Sequence, residues 1–467
     1  MKILAAIANH GTSNRKYLDT LLSEYRSMSF DVHVAILSNI EKNLGSNVEV
    51  VVGLPSEDPW SLPFAYKKLF AERAEDYDLF IYSEDDTLIT EKNITAFLDV
   101  TPSLAESEIA GFLRYEKDSN GAMFISSANN RFHWDPESVR QRGDLVFAHF
   151  SNHHSASFIL TRDHLRRAIE SGGFLVEPHS EHYDLLVTAA TDPYTQCGFE
   201  KLICLSRIDD FLLPHLPNKY IGKMGLEYSQ FLRQLEALHA IDRGELPKDR
   251  LFETATKVRH RLWSKSYYEP AREDMLGLVP KTIRSALSLG CGWGATEQKL
   301  QQRGVKVTAV PLDSVIAPCA ELRGIELIHG TFQNALKQLS GRKFDCLFLS
   351  DVMHLVEHPD RLLSTYVQLL APGGIVVAGI PNFNKTRFHL KRLLRKTEDT
   401  RPSDYEGTGV HAATTEDVKR WLESAGMRIE KIVYTVPERF RPAVHLLPGI
   451  ANKIFGTDMI FVGKSNK

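Results

Sequence analysis

The run Ser285-Ala-Leu-Ser-Leu289, followed at once by Gly290-Cys-Gly292-Trp-Gly294 and then by the helical residues Thr296–Gln302, constrains this chain most. The first five residues, three of them apolar, predict a strand. The three glycines let the backbone turn sharply and approach a neighbour that a Cβ would hold off. A strand feeding a glycine loop feeding a helix opens a parallel α/β sheet. Glycines alone are weak, because tight turns use them for purely structural reasons. The sequel strengthens them: Val305–Val310 and Lys343–Ser350 predict further strands, Asp351-Val-Met-His-Leu-Val-Glu357-His358-Pro359-Asp360 leads into a helix, and Leu370-Ala-Pro372-Gly373-Gly374 precedes a strand at Ile375–Ile380.

One core does not organise 467 residues, so two domains are expected. The charge supports a division. Residues 1–235 carry 22 Lys and Arg against 33 Asp and Glu, whereas the remainder carries 34 against 26. Neither part has the basic excess of a nucleic-acid-binding protein, so no nucleic-acid partner is expected. The five cysteines form no CxxC pair and are odd in number, as in a reduced compartment. The apolar stretch Ile3–Ala8 is too short for a signal peptide and no run of about 18 apolar residues is present, so the expected location is cytoplasmic.

Upstream, strand and helix signals also alternate. Lys2–Ala8 and Phe30–Leu37 read as strands, with Tyr17, Leu18, Leu21, Leu22 and Tyr25 on one helical face between them. Helical residues around Phe64–Glu75 lead into a buried strand, Tyr77–Tyr82, which ends at Glu84-Asp85-Asp86. Loops rich in Asn, His and Pro are expected over 115–155, and a helix near Arg162–Glu170. The domains are therefore placed at 1–226 and 281–467, with a charged, mostly helical connector over 227–280.

The segments LSLGCGWG, FDCLFLSDVMHLVEHPDRLL, LAPGGIVVAGIPN and VHAATTEDVKRWLESAGM resemble, in order and spacing, the class I S-adenosylmethionine-dependent methyltransferases, over about 281–467. The resemblance implies a Rossmann-like sheet with S-adenosyl-L-methionine as cofactor. Gly290, Gly292 and Gly294 would lie against its methionine and ribose portions, and Asp351 at the strand end facing the sulfonium. There are departures. Pro311 stands where the family places a ribose-binding acid, so either Asp313 reaches the ribose through a changed loop or cofactor binding is weak or lost. His329-Gly330-Thr331 stands where an Asp commonly contacts the adenine. A hydroxyl acceptor needs a general base, and His354 and His358 follow the strand beside which the acceptor would lie. The alternative for His358 is a structural Glu-His pair, and His411 is read as a residue that organises its loop.

The triplet Glu84-Asp85-Asp86 concentrates negative charge at the carboxyl edge of a sheet, where α/β folds bind ligands. Hard carboxylate oxygens suit a divalent cation, Mn²⁺ or Mg²⁺; the plain alternative is a solvated loop. YDLFIYSEDD resembles the strand ending in an Asp-x-Asp motif of GT-A glycosyltransferases, and AIANHGTSNRKYLDTLLSEY, SASFILTRDHLRRAI and EPHSEHYDLL agree with that family over about 1–222. The resemblance implies a GT-A-like mixed sheet and a nucleotide-sugar donor held by Arg15, Asn39, Glu84, Asp85 and Asp86. The metal would be bound by Asp85 and Asp86 and completed by His215, though a turn histidine between prolines reads equally well there. Asp184 and Glu181 are the candidates to deprotonate an acceptor, with Glu200 behind them, and His149, His153 and His154 are read as loop packing.

A chain of this kind is expected to be a bifunctional α/β transferase that acts on a glycan or lipid-linked glycan acceptor, in synthesis of a methylated surface polysaccharide or glycolipid. A single-activity enzyme with one degenerate domain and a non-catalytic glycan-binding scaffold are the alternatives. Lys385–Lys396 holds six Lys and Arg in twelve residues with apolar residues between them. It reads first as a surface helix and second as a peripheral contact with anionic lipid.

Overall fold

The computed structural model describes residues 1–45, 47–383, 404–442 and 448–465. The basic segment 385–396 lies outside the described residues. Two compact units divide the chain, Met1–Glu245 and Leu246–Lys467. Among the described residues no helix is long and apolar enough to cross a membrane.

In the first unit a five-stranded sheet runs in the order Ser157–Thr161, Leu79–Glu84, Lys2–Ala8, Asp31–Ser38, Val48–Val52. All pairs are parallel except the one that joins Ser157–Thr161 to Leu79–Glu84. Parallel strands are buried on both faces, so Ile3 to Ile7 and Leu79 to Tyr82 are fully enclosed and read as unbroken apolar runs. The helix Arg15–Ser27 covers one face with Leu18, Leu21, Leu22 and Tyr25. The expected loop region over 115–155 is instead partly strand. Leu113–Lys117 and Met123–Ile125 join one small four-stranded sheet, Arg140–Arg142 and Leu145–Ala148 another.

The second unit holds a seven-stranded sheet. Numbered by their order in this unit, its strands run 3-2-1-4-5-7-6: Glu326–Leu327, Lys306–Pro311, Ser285–Cys291, Phe344–Ser350, Leu370–Pro381, Asp458–Ser465, Met427–Thr435. Only Asp458–Ser465 runs against the others. Alternate residues feed two cores. Leu287, Leu289, Leu347, Leu349, Val376 and Ala378 pack on one face, and Ala286, Val307, Ala309, Cys346, Phe348 and Val377 on the other. This is a Rossmann-like α/β architecture.

The stretch expected as a helical connector is divided between the units. Tyr228–Asp242 is a helix of the first unit and buries Phe231, Leu235 and Leu238. Residues 246–280 belong to the second and contain only a single turn at Arg259–Arg261 and the short helix Glu273–Leu276. Met275, Leu276 and Val279 anchor this irregular stretch in the second unit's core.

Candidate functional site

The glycine loop leaves the carboxyl end of Ser285–Cys291, and each of its glycines meets a different demand. Gly290 has φ +75°, and a Cβ there would stand 2.7 Å from Val352 Cγ2. Gly294 has φ +85° and caps the helix Ala295–Gln302. Gly292 faces the irregular stretch upstream: an added Cβ would lie 2.4 Å from the Tyr267 carbonyl oxygen, which accepts a hydrogen bond from Trp293 N at 2.9 Å. Residues 265–272 are thus part of the loop's wall. Lys265, fully buried, donates to Glu269 Oε1 and to the Ser350 carbonyl, both at 2.8 Å. Arg272 Nη1 reaches Asp351 Oδ2 at 2.5 Å and grips Asp274 with its other two donors at 3.0 Å. The sequence reading missed Lys265, Glu269 and Arg272. Their one local sign is charged residues set at i, i+4 among the aromatics Trp263, Tyr267 and Tyr268.

Asp351 ends the strand Phe344–Ser350 with φ +52°, an uncommon conformation for a residue with a side chain. Its Oδ1 is buried without a hydrogen-bond partner. Asp313 is buried, and its Oδ1 accepts from Val315 N and Ile316 N at 2.8 Å each, so this carboxylate shapes the turn after Lys306–Pro311. His354 is corrected as a general base. It is fully buried, Nε2 donates to the Trp263 carbonyl at 2.8 Å, and burial lowers its pKa to about 4. His358 stands 3.6 Å from Glu357, half-exposed, on a cleft of about 500 Å³ walled by Phe252, Phe332, Val356 and Tyr366. Phe252 ties that cleft to the glycine loop, because its ring comes within 3.5 Å of where a Gly290 Cβ would be. His411 organises its loop as expected, bonding the carbonyls of Val356 and Glu357 at 3.1 Å.

In the first unit, the carboxyl ends of Lys2–Ala8, Asp31–Ser38 and Leu79–Glu84 lie side by side. Asp85 accepts from the amide groups of Asn9 and of Asn14, the latter at 2.7 Å. Lys42 Nζ donates to the Asn9 carbonyl at 2.7 Å, and Asn39 Oδ1 accepts from Gly11 N at 2.8 Å. Asp86 Oδ2 lies 3.4 Å from His215 Nε2, whose Nδ1 donates to Glu116 Oε1 at 2.5 Å. Glu84 is pushed up to about 7 by burial, against the pull of Arg114, and its Oε1 has no hydrogen-bond partner. Lys201 is fully buried, is lowered to about 7 by that burial, and donates to the carbonyls of Asn152 and His153. Its methylenes run past Gly111, where a Cβ would lie 2.4 Å from them.

Other expected residues are placed elsewhere. Asp184 caps the helix Leu185–Ala189 through Val187 N, and exposed Glu181 reaches Gln196, so no direct contact brings either to the acid triplet. Glu200 is paired with Arg140 at 2.6 Å. Arg15 pairs with Asp19 one helical turn on, at 2.8 Å.

The trio expected to bind a metal is not assembled. Asp86 faces His215, while Asp85 turns to two amides. Among the described residues no group of three or more His, Cys, Asp and Glu side chains is placed to hold a metal ion. The residues present do not fit a divalent-cation centre.

A methyltransferase-domain family matches residues 250–432. The ubiquinone biosynthesis O-methyltransferase of Paracidovorax citrulli is 26% identical over 149 residues, which cover 29% of this chain and 63% of that protein. Its namesake from Pseudomonas fluorescens is 23% identical over 222 residues, 41% of this chain and 86% of that protein. An S-adenosylmethionine-dependent methyltransferase from Mesorhizobium loti aligns in structure over 41% of this chain and 96% of its own, at 17% identity and a TM-score of 0.30. Residues 250–432 form a class I S-adenosylmethionine-dependent methyltransferase domain.

Proposed function

We propose that the second unit transfers a methyl group from S-adenosylmethionine to a hydroxyl oxygen of an acceptor seated in the cleft beside His358. The observation that carries this is the junction at the carboxyl edge of the parallel sheet: the glycine loop, the left-handed Asp351 and the cleft meet through Phe252 and Val352. The residues fit the cofactor, because the buried, unpartnered Oδ1 of Asp351 suits the ammonium group of its methionine portion. When bound, the cofactor supplies an electrophilic methyl on a sulfonium. Arg272 holds Asp351 in place from the other carboxylate oxygen, and the Lys265–Glu269 pair stiffens the loop's wall. His358 accepts the proton that the acceptor hydroxyl gives up. The relatives named as O-methyltransferases support oxygen as the receiving atom. Titration calorimetry with S-adenosylmethionine, followed by methyl transfer to a panel of glycans and phenols, tests this; no binding at millimolar cofactor overturns it. Binding without turnover would make the unit a binding module.

We infer further that the first unit transfers a sugar from a nucleotide-sugar donor to a glycan or lipid-linked glycan, so that the chain makes a methylated glycan. One observation favours this. A sheet of four parallel strands and one antiparallel strand gathers Asn9, Asn39, Glu84, Asp85 and Asp86 at one edge, with Lys42 bound to Asn9. With no cation set assembled there, Lys42 and Lys219 are the groups to meet the charge of a departing diphosphate. Sugar transfer and hydrolysis with a panel of sugar nucleotides should proceed equally with and without a chelator. Loss of turnover on chelation would restore the metal, and absence of turnover with every donor would remove sugar transfer.

A further inference from the structure

Beside the acid triplet the first unit buries polar groups that have no partners. Glu84 Oε1, Arg114 Nε and His154 Nδ1 are each buried and without a hydrogen bond. Arg114 and His154 are 8% and 9% exposed, out of reach of bulk solvent. Backbone hydrogen bonds and one close approach link the segments that carry them. His154 Nε2 is 4.0 Å from Glu84 Oε1, and Glu84 N donates to the Ala156 carbonyl. His154 N donates to Asn152 Oδ1, Asn152 Nδ2 to the Ser127 carbonyl, and Ser127 Oγ accepts from Arg114 N at 2.8 Å. The Arg114 charge acts on Glu84, Asp86, His154 and Lys201 alike.

Buried orphans of this kind are rare in folded proteins and costly, and three on linked segments call for a ligand. The set is mixed: a guanidinium that only donates, a carboxylate that accepts, and an imidazole nitrogen that does either by tautomer. A phosphate would satisfy the arginine and repel the glutamate, and an apolar group would satisfy nothing. Hydroxyls on adjacent carbons each donate and accept, and so match both. We propose that Glu84, Arg114 and His154 bind the ring hydroxyls of a sugar. Glu84, one-fifth exposed at its side chain, forms the mouth of the site. The proposal deepens the sugar-transfer reading and rests on it only for the origin of the ring, which is either the sugar of a nucleotide donor or a free glycan terminus.

Saturation-transfer NMR and calorimetry on the full chain would compare free monosaccharides, nucleoside diphosphates and the matching sugar nucleotides. A sugar, free or nucleotide-linked, should bind, and Arg114→Met and Glu84→Gln should each weaken it about ten-fold or more, with a larger loss for a sugar nucleotide than for the nucleoside diphosphate without sugar. His154→Gln, which keeps a polar group in the space, guards against misfolding of the arginine variant and should weaken sugar binding likewise. If free sugars bind and nucleotides do not, the site stands and sugar transfer falls. If sugar nucleotides bind and turn over with all three variants unaffected, sugar transfer stands and this site is wrong. Failure of every sugar to bind overturns it as well.

Discussion

Replacing Gly292 by alanine tests the wall of the glycine loop directly. The new Cβ would stand 2.4 Å from the Tyr267 carbonyl oxygen, 3.1 Å from its carbon and 3.3 Å from its Cα. All three are backbone atoms, so no side-chain rotation relieves the overlap and residues 265–269 must move. Overpacking of this sort costs about 1–3 kcal/mol. The Trp293 N to Tyr267 hydrogen bond is lost with it, at about 0.5–1.5 kcal/mol. About 1.5–4.5 kcal/mol is therefore expected, and at about 2–4 °C per kcal/mol the second unit should melt about 3–18 °C lower. Gly304 serves as the control. Its φ is +83° and nothing lies within 4 Å of an added Cβ, so alanine there adds backbone strain of about 1–2 kcal/mol and no clash. Calorimetric melting of both variants, with S-adenosylmethionine titrated into each, isolates the contact. A Gly292→Ala protein that melts with wild type and binds the cofactor equally would refute the placement of Tyr267 against the loop.

Other perturbations separate structural from chemical roles. Lys265→Met strands Glu269 in the interior and should cost about 3–5 kcal/mol in chemical denaturation, most of it recovered by Lys265→Met with Glu269→Gln. Glu108, bonded first by Arg142 and also by Arg140, is lowered from 4.5 to about 2. Its contribution is therefore whole above about pH 4.5 and disappears as pH falls towards 2, and urea titrations against pH should show that part of the acid loss missing in Glu108→Gln. His358→Ala should lower methyl transfer by about 10²–10⁴ without changing the melting temperature. His354→Ala should do the reverse, lowering stability through its lost bond to Trp263.

What could be read in advance followed from how locally each feature is written. Ser285–Cys291, Phe344–Ser350 and Leu79–Glu84 announce themselves because strands buried on both faces are mostly apolar. The glycine loop and the acid triplet were legible as the ends of such runs. Leu113–Lys117 was not, because its partner Leu212–Pro214 lies about a hundred residues away and its five residues mix Arg, Glu and Lys with Leu and Tyr. The wall of the loop was missed for a related reason. Lys265, Tyr267 and Glu269 lie in irregular backbone with no period, and their meaning comes only from the Tyr267 carbonyl, which meets Trp293 N in the glycine loop, and from Lys265, which reaches the Ser350 carbonyl 85 residues later. His354 and His358 are four residues apart and chemically identical, yet one is enclosed and the other half-open. A residue type carries its chemistry in the sequence, but burial is decided by neighbours.

The position of Lys201 is recorded at a residue ninety places before it. The lysine cannot swing aside, because its ammonium is held by the carbonyls of Asn152 and His153 and its stem is fully enclosed. Its methylenes therefore need the space that Gly111 leaves vacant. The two positions behave as one inherited character: a side chain can appear at 111 only after 201 has been shortened, and once that has happened the way back to lysine is closed until the glycine returns.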